Sequence, residues 1–164
     1  MLWPRCFRIM AQDRSEGQDM RIISSLIPGL LLMAGSVVTE GQNRPLGSEL
    51  VAPGTPYSPG ILSGDTLYIS GLQGTDWRTH ELPKDFNREV TNCLDNVGRV
   101  LKDGGMTYSN VVSVQIFLDD MSQFPTVNGI YKKYFKEPMP SRTTVQVAKL
   151  SLGAHIEIAA IARK

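Results

Sequence analysis

Two side chains stand where strand-forming sequence would not ordinarily put them, and together they could carry chemistry. Glu157 lies within the apolar run AHIEIAAIA, where alternation places it on the same strand face as Ala159 and Ile161. A carboxylate there must pair, hold its proton more tightly or face a wet cleft, because burying an unpartnered charge is costly. It is a candidate acid or base, set against a salt bridge at a strand edge. Arg142 follows Pro138, Pro140 and Ser141, and it opens a strand in which it aligns with Thr144 and Gln146. A guanidinium offers a planar fork of donors that grips a carboxylate bidentately, which counts for more in a partly dry pocket than on an open surface. Taken alone it also reads as a surface arginine. If the two share a cleft, they provide a cationic anchor and a group that can orient water.

The elements that must position them follow from periodicity. Ile61-Leu62, a turn at Ser63-Gly64-Asp65, and Thr66 to Ser70 form a β-hairpin. From Asp85 to Lys102 the residues Phe86, Val90, Cys93, Leu94, Val97, Val100 and Leu101 recur every three or four positions, and Gly104-Gly105 supplies the stop of an amphipathic helix. Val111 to Leu118 alternates as a central strand. Phe124, Val127, Ile130, Tyr131 and Tyr134 return to helical spacing, with Ser122 as the expected N-cap and Pro125 in the first turn. Arg142 to Ala148 and His155 to Ala162 give two further strands. The order from Tyr57 is ββαβαββ, an α+β fold with both helices on one face of a single mixed sheet. Several strands are apolar on both faces, so the other face needs a cover, and oligomerisation is the simplest one.

Ahead of this domain, residues 1–36 read as an extension plus a secretory signal. Arg21 precedes an apolar stretch from Ile22 to Val38, interrupted by Pro28-Gly29, and Ala34-Gly35-Ser36 suits a signal peptidase. Met1 to Asp19 is too acidic for a signal's leading segment, which points to Met20 as the true start. Export would make the protein periplasmic or secreted, with no stable membrane insertion after cleavage; without use of the signal it would be cytoplasmic. An uncleaved anchor and a buried helix are the other readings. Residues 37–55, rich in Gly, Pro and polar residues, read as a linker or arm, and residues 56–164 as the domain. Seventeen Lys+Arg against sixteen Asp+Glu leave a net charge of +1, so no global field would hold nucleic acid. Cys6, Cys93, His80 and His155 do not have the spacings of a zinc site, and Cys93 reads as a buried core thiol.

PYSPGILSGDTLYISG, LDNVGRVLKDGG, QIFLDDM, TVNGIYKKYF and PSRTTVQVAKLSLGAHIEIAAIA together resemble the reactive intermediate deaminase family, of the RidA/YjgF type, over Pro56 to Arg163. The resemblance implies a chorismate-mutase-like protomer, a barrel-like homotrimer, and ligand sites in clefts between subunits. It implies that Arg142 holds the substrate carboxylate and that Glu157 positions or activates the hydrolytic water. Tyr57 would form a pocket wall, Ser70 would lie near the ligand, Asn128 would contribute from the second helix, and Thr144 would contribute its backbone. Tyr57, Ser70 and Asn128 read equally, by their settings, as a hairpin aromatic, strand-end turn chemistry, and a cap or subunit contact.

The sequence also departs from the family pattern. The usual Ser-Gly-Gln is Ser70-Gly71-Leu72, with Gln73 displaced by one, and Ala159 stands where many relatives carry a second carboxylate. The implied reaction is hydrolysis of an enamine or 2-imino acid to a 2-keto acid and ammonia, without metal or cofactor. A non-catalytic trimer that binds small carboxylates is the alternative, and RNA cleavage a third reading.

Overall fold

The computed structural model describes residues 43–164. The N-terminal extension, signal and cleavage expectations lie outside these residues. Six strands, β1 (Arg44–Leu46), β2 (Gly60–Ser63), β3 (Thr66–Gln73), β4 (Val111–Leu118), β5 (Ser141–Gln146) and β6 (Ile156–Arg163), form one sheet in the order β1-β2-β3-β6-β4-β5. All neighbours are antiparallel except β4 and β5, which the crossover through helix α2 (Phe124–Tyr134) makes parallel. Helix α1 (Phe86–Asp103) connects β3 to β4, and both helices pack on one face, as the periodicity predicts.

Period-two alternation decides which face each strand residue serves. Leu67, Ile69 and Leu72 of β3, Val114, Ile116 and Leu118 of β4, and Ile156, Ile158, Ala160 and Ala162 of β6 are buried against the helices. The helices meet them with Val90, Leu94, Val97 and Leu101 of α1 and Val127, Ile130 and Tyr131 of α2. Asp85 caps α1 by accepting from the Arg88 amide at 2.8 Å. The other sheet face carries large apolar side chains open to solvent, with Tyr68 51%, Val145 39% and Ile161 37% exposed.

Two expectations are corrected. The segment read as a linker contributes β1, which pairs with β2 by register Arg44↔Leu62 to Leu46↔Gly60, and its Leu46 and Leu50 enter the core. Its Gly and Pro content reflects turns, with Gly47 at φ 73°, rather than an unpacked tether. Ser122 does not cap the second helix. Asp120 caps the 3₁₀ turn before it, accepting from the Ser122 amide at 2.8 Å and the Ser122 hydroxyl at 2.6 Å.

Candidate active site

The register divides the candidate residues between two places. In β5, Arg142 is level with Val114 and Thr144 with Ile116, both core residues, so Arg142 and Thr144 lie on the helix side of the sheet. In β6, Glu157 is level with Phe117, three residues along β4 from Val114, and therefore lies on the opposite face. Within one chain, Arg142 and Glu157 do not share a cleft.

Arg142 lines a groove of about 420 Å³ together with Asn128, Tyr131, Lys132, Met139 and Pro140. Its guanidinium lies 4.8 Å from the Tyr131 ring centroid and 5.4 Å from that of Phe124, so two aromatic faces from α2 hold it in place. Among the described residues no carboxylate pairs with it. The Tyr131 hydroxyl and the Thr144 hydroxyl are both buried without a hydrogen-bond partner among the described residues. Burial pushes the Tyr131 phenol up to about 12, against the opposing pull of Arg142. A cation without an anion, beside an edge lined by polar groups, is ready to take an anionic ligand.

Glu157 lines a second cavity of about 670 Å³, bordered also by Tyr57, Ser70, Gly71, Gln73 and Ser151. A β-bulge builds this wall: between Ile69↔Ala160 and Leu72↔Ile158, β3 spends two residues, Ser70 and Gly71, against Ala159 alone. The bulge turns the Ser70 hydroxyl back to the Ser58 carbonyl at 2.7 Å, and it brings Gly71 beside the Glu157 carboxylate. Tyr57 stands half exposed at the lip. A β-carbon added at Gly71 would overlap Glu157 Oε1. Gly71→Ala is therefore expected to displace the carboxylate and cost about 10²-fold in turnover, with a smaller effect on thermal stability; steady-state kinetics beside a melting curve check this.

Three residues that the sequence reading did not assign complete the neighbourhood. Gln73, level with Glu157 across the β3–β6 ladder, donates from Nε2 to Ser151 Oγ at 2.6 Å and to Glu157 Oε2 at 3.4 Å. Glu89 is fully buried on α1; its Oε1 accepts the amides of His155 at 2.7 Å and Ile156 at 3.3 Å, and its Oε2 meets His155 Nδ1 at 2.8 Å. Asn96 donates to the Gln73 carbonyl at 3.0 Å. One polar stripe of α1 thus fixes the end of β3 and the start of β6, the two segments that carry Gln73 and Glu157. A sequence signal for Glu89 existed: it falls three residues after Phe86 and four before Cys93, within the apolar stripe.

The His155 ring, although paired, is more than half exposed. The hydrogen bond to Glu89 raises its pKa above 6.5, outweighing partial burial. A raised folded-state value means that the stabilisation is complete below the unfolded-state pKa and is lost as pH rises through the folded one. The melting-temperature difference between the parent and His155→Ala is accordingly expected to be largest below pH 6.5 and to shrink as pH rises above it. Trp77 packs against the core with the Arg99 and Arg78 guanidiniums at 4.0 and 4.5 Å from its ring. Cys93 is fully buried and its thiol donates to the Leu72 carbonyl, as befits a core cysteine.

A mixed sheet backed by two helices, with an arginine unpaired among the described residues at one edge and a glutamate beside a bulge on the other face, defines an α+β protein whose candidate polar groups sit in two separate cavities. The chain belongs to the Endoribonuclease L-PSP family, the RidA/YjgF group, whose family model matches residues 47–164. It is 43% identical over 114 residues to the human 2-iminobutanoate/2-iminopropanoate deaminase, covering 68% of this chain and 83% of that protein. A RutC family protein of Sulfurisphaera tokodaii is 39% identical over 130 residues, covering 79% of this chain and 98% of the relative. Among solved structures, RidA from the Antarctic bacterium Psychrobacter sp. PAMC 21119 superposes with a TM-score of 0.70 at 32% identity, over 74% of this chain and 99% of that one. The YjgF gene product of E. coli gives 0.68 at 32% identity, over 74% and 98%.

Proposed function

We propose that the protein hydrolyses 2-imino acids, formed from enamines such as 2-aminoacrylate, in sites assembled between copies of the chain. The observation that carries this reading is the placement, on opposite faces of one sheet, of a guanidinium unpaired among the described residues and a cavity-lining carboxylate. Each is half of a site, and two copies can bring the halves together. Relatives named as 2-iminobutanoate/2-iminopropanoate deaminases support the choice of reaction. The open apolar face bearing Tyr68, Val145 and Ile161 supports burial against neighbouring copies in a homotrimer.

In the proposed reaction, Arg142 of one copy holds the substrate carboxylate, and its charge draws electron density from the imine carbon. Glu157 of a neighbour orients water toward that carbon and accepts a proton as the C–O bond forms. Backbone groups near Thr144 steady the developing tetrahedral species. Glu157 returns that proton to the nitrogen; the carbinolamine then collapses, its hydroxyl proton passing to the leaving nitrogen as the C–N bond breaks, so that ammonia and the 2-keto acid are released and one water is consumed for each imine. Tyr57 and Ser70 bound the ligand beside Glu157, and Asn128 bounds it beside Arg142.

A non-catalytic carboxylate-binding trimer is the second reading, favoured by the Gln73 amide, which already lies within 3.4 Å of one Glu157 oxygen. Release of ammonia and keto acid from freshly generated imino acids separates the two: turnover supports the deaminase, and keto-acid binding with no turnover supports the binder. The net charge of +1 gives RNA cleavage no electrostatic support.

A further inference from the structure

We infer that Leu152 is a specificity-determining residue, forming an apolar subsite that selects substrates with a branched or extended hydrocarbon side chain over those with a methyl group. The inference rests on the proposed function and adds the substrate class. Among the described residues only two that are not glycine adopt a left-handed backbone, His80 at φ 58° and Leu152 at φ 57°, and both line the cavity that holds Glu157. Such conformations are disfavoured for residues with a β-carbon and gather at ligand sites, where the surrounding structure imposes them.

Leu152 is 82% exposed, more than any other large hydrophobic residue described. The next residue, Gly153 at φ 77°, has the type suited to this turn, whereas Leu152 does not. Displaying an isobutyl group to water on an unfavourable backbone gains the folded chain nothing by itself. Its position gives it a purpose. Ser151, its neighbour, accepts from the same Gln73 amide that reaches Glu157, so the turn bearing Leu152 is tied to the acid. Val51 supplies further apolar wall, whereas Leu50 and Leu72 border the cavity with their side chains buried in the core.

The test is calorimetric titration of the full chain with two stable keto-acid products, pyruvate and 4-methyl-2-oxopentanoate, alongside Leu152→Gly, Leu152→Asn and Arg142→Ala. The parent is expected to bind the branched acid at least about tenfold more tightly, as burial of three further carbons implies. Leu152→Gly and Leu152→Asn should each reduce that ratio by about five- to tenfold. Leu152→Gly should also raise the melting temperature, since glycine accepts the backbone without strain. An unchanged ratio in both variants overturns the subsite, as does a weakened oligomer with the ratio intact, which would make Leu152 a subunit contact. Failure of the parent to bind either acid, or undiminished binding by Arg142→Ala, overturns the carboxylate site itself and the subsite with it.

Discussion

Arg142→Ala is expected to lower keto-acid affinity and kcat/KM by about two to three orders of magnitude, the usual consequence of removing one partner of a desolvated charge pair. The fold should be unaffected. Arg142 makes no salt bridge among the described residues, and its contacts are with the Tyr131 and Phe124 rings at the edge of the sheet. Circular dichroism and the mass of the oligomer should therefore match the parent while turnover collapses. Arg142→Lys is expected to recover only part of the loss, because an ammonium neither grips a carboxylate bidentately nor stacks on a ring as a guanidinium does. Full activity in Arg142→Ala, with the fold intact, would remove the anchor from the proposed mechanism.

Glu157→Gln is expected to separate binding from chemistry. It keeps the shape beside the bulge and the contact with Gln73, but it cannot take a proton from water. The loss should fall on kcat, by about 10²- to 10⁴-fold, the range of a positioned general base, with keto-acid affinity close to that of the parent. Single-turnover kinetics beside a titration read the two quantities independently. A variant that loses binding and turnover together would make Glu157 a ligand-holding group, as in the carboxylate-binding reading.

Much of this is legible in the sequence. The alternation of Val111 to Leu118 and of Ile156 to Ala162 has a period of two over a full strand length, and the α1 stripe is long enough to be unambiguous, so the sheet and helices follow directly. Glu157 was conspicuous because a charge interrupts an otherwise apolar strand. What the sequence could not convey was relative register. Whether Arg142 and Glu157 share a face depends on β5 pairing parallel and β6 antiparallel to β4, with Val114 and Phe117 as their respective partners. Neither fact is local. The Ser70-Gly71 bulge was invisible for a similar reason: it is a mismatch in count between two strands far apart in the chain. The β1 strand is three residues long and contains Pro45, so neither length nor propensity marked it, and only its pairing with β2 makes it a strand.

The candidate site is split between two faces of the sheet, and co-assembly shows whether two copies rejoin it. Arg142→Ala and Glu157→Gln chains, unfolded together and refolded as a mixture, should form mixed oligomers. An Arg142→Ala copy retains Glu157, and a Glu157→Gln copy retains Arg142. If each site takes one group from each of two neighbours, random mixing restores about a quarter of the sites, and deaminase activity rises well above that of either variant alone. Activity no greater than the average of the two separate variants, in oligomers shown by mass to be mixed, would contradict a site shared between copies.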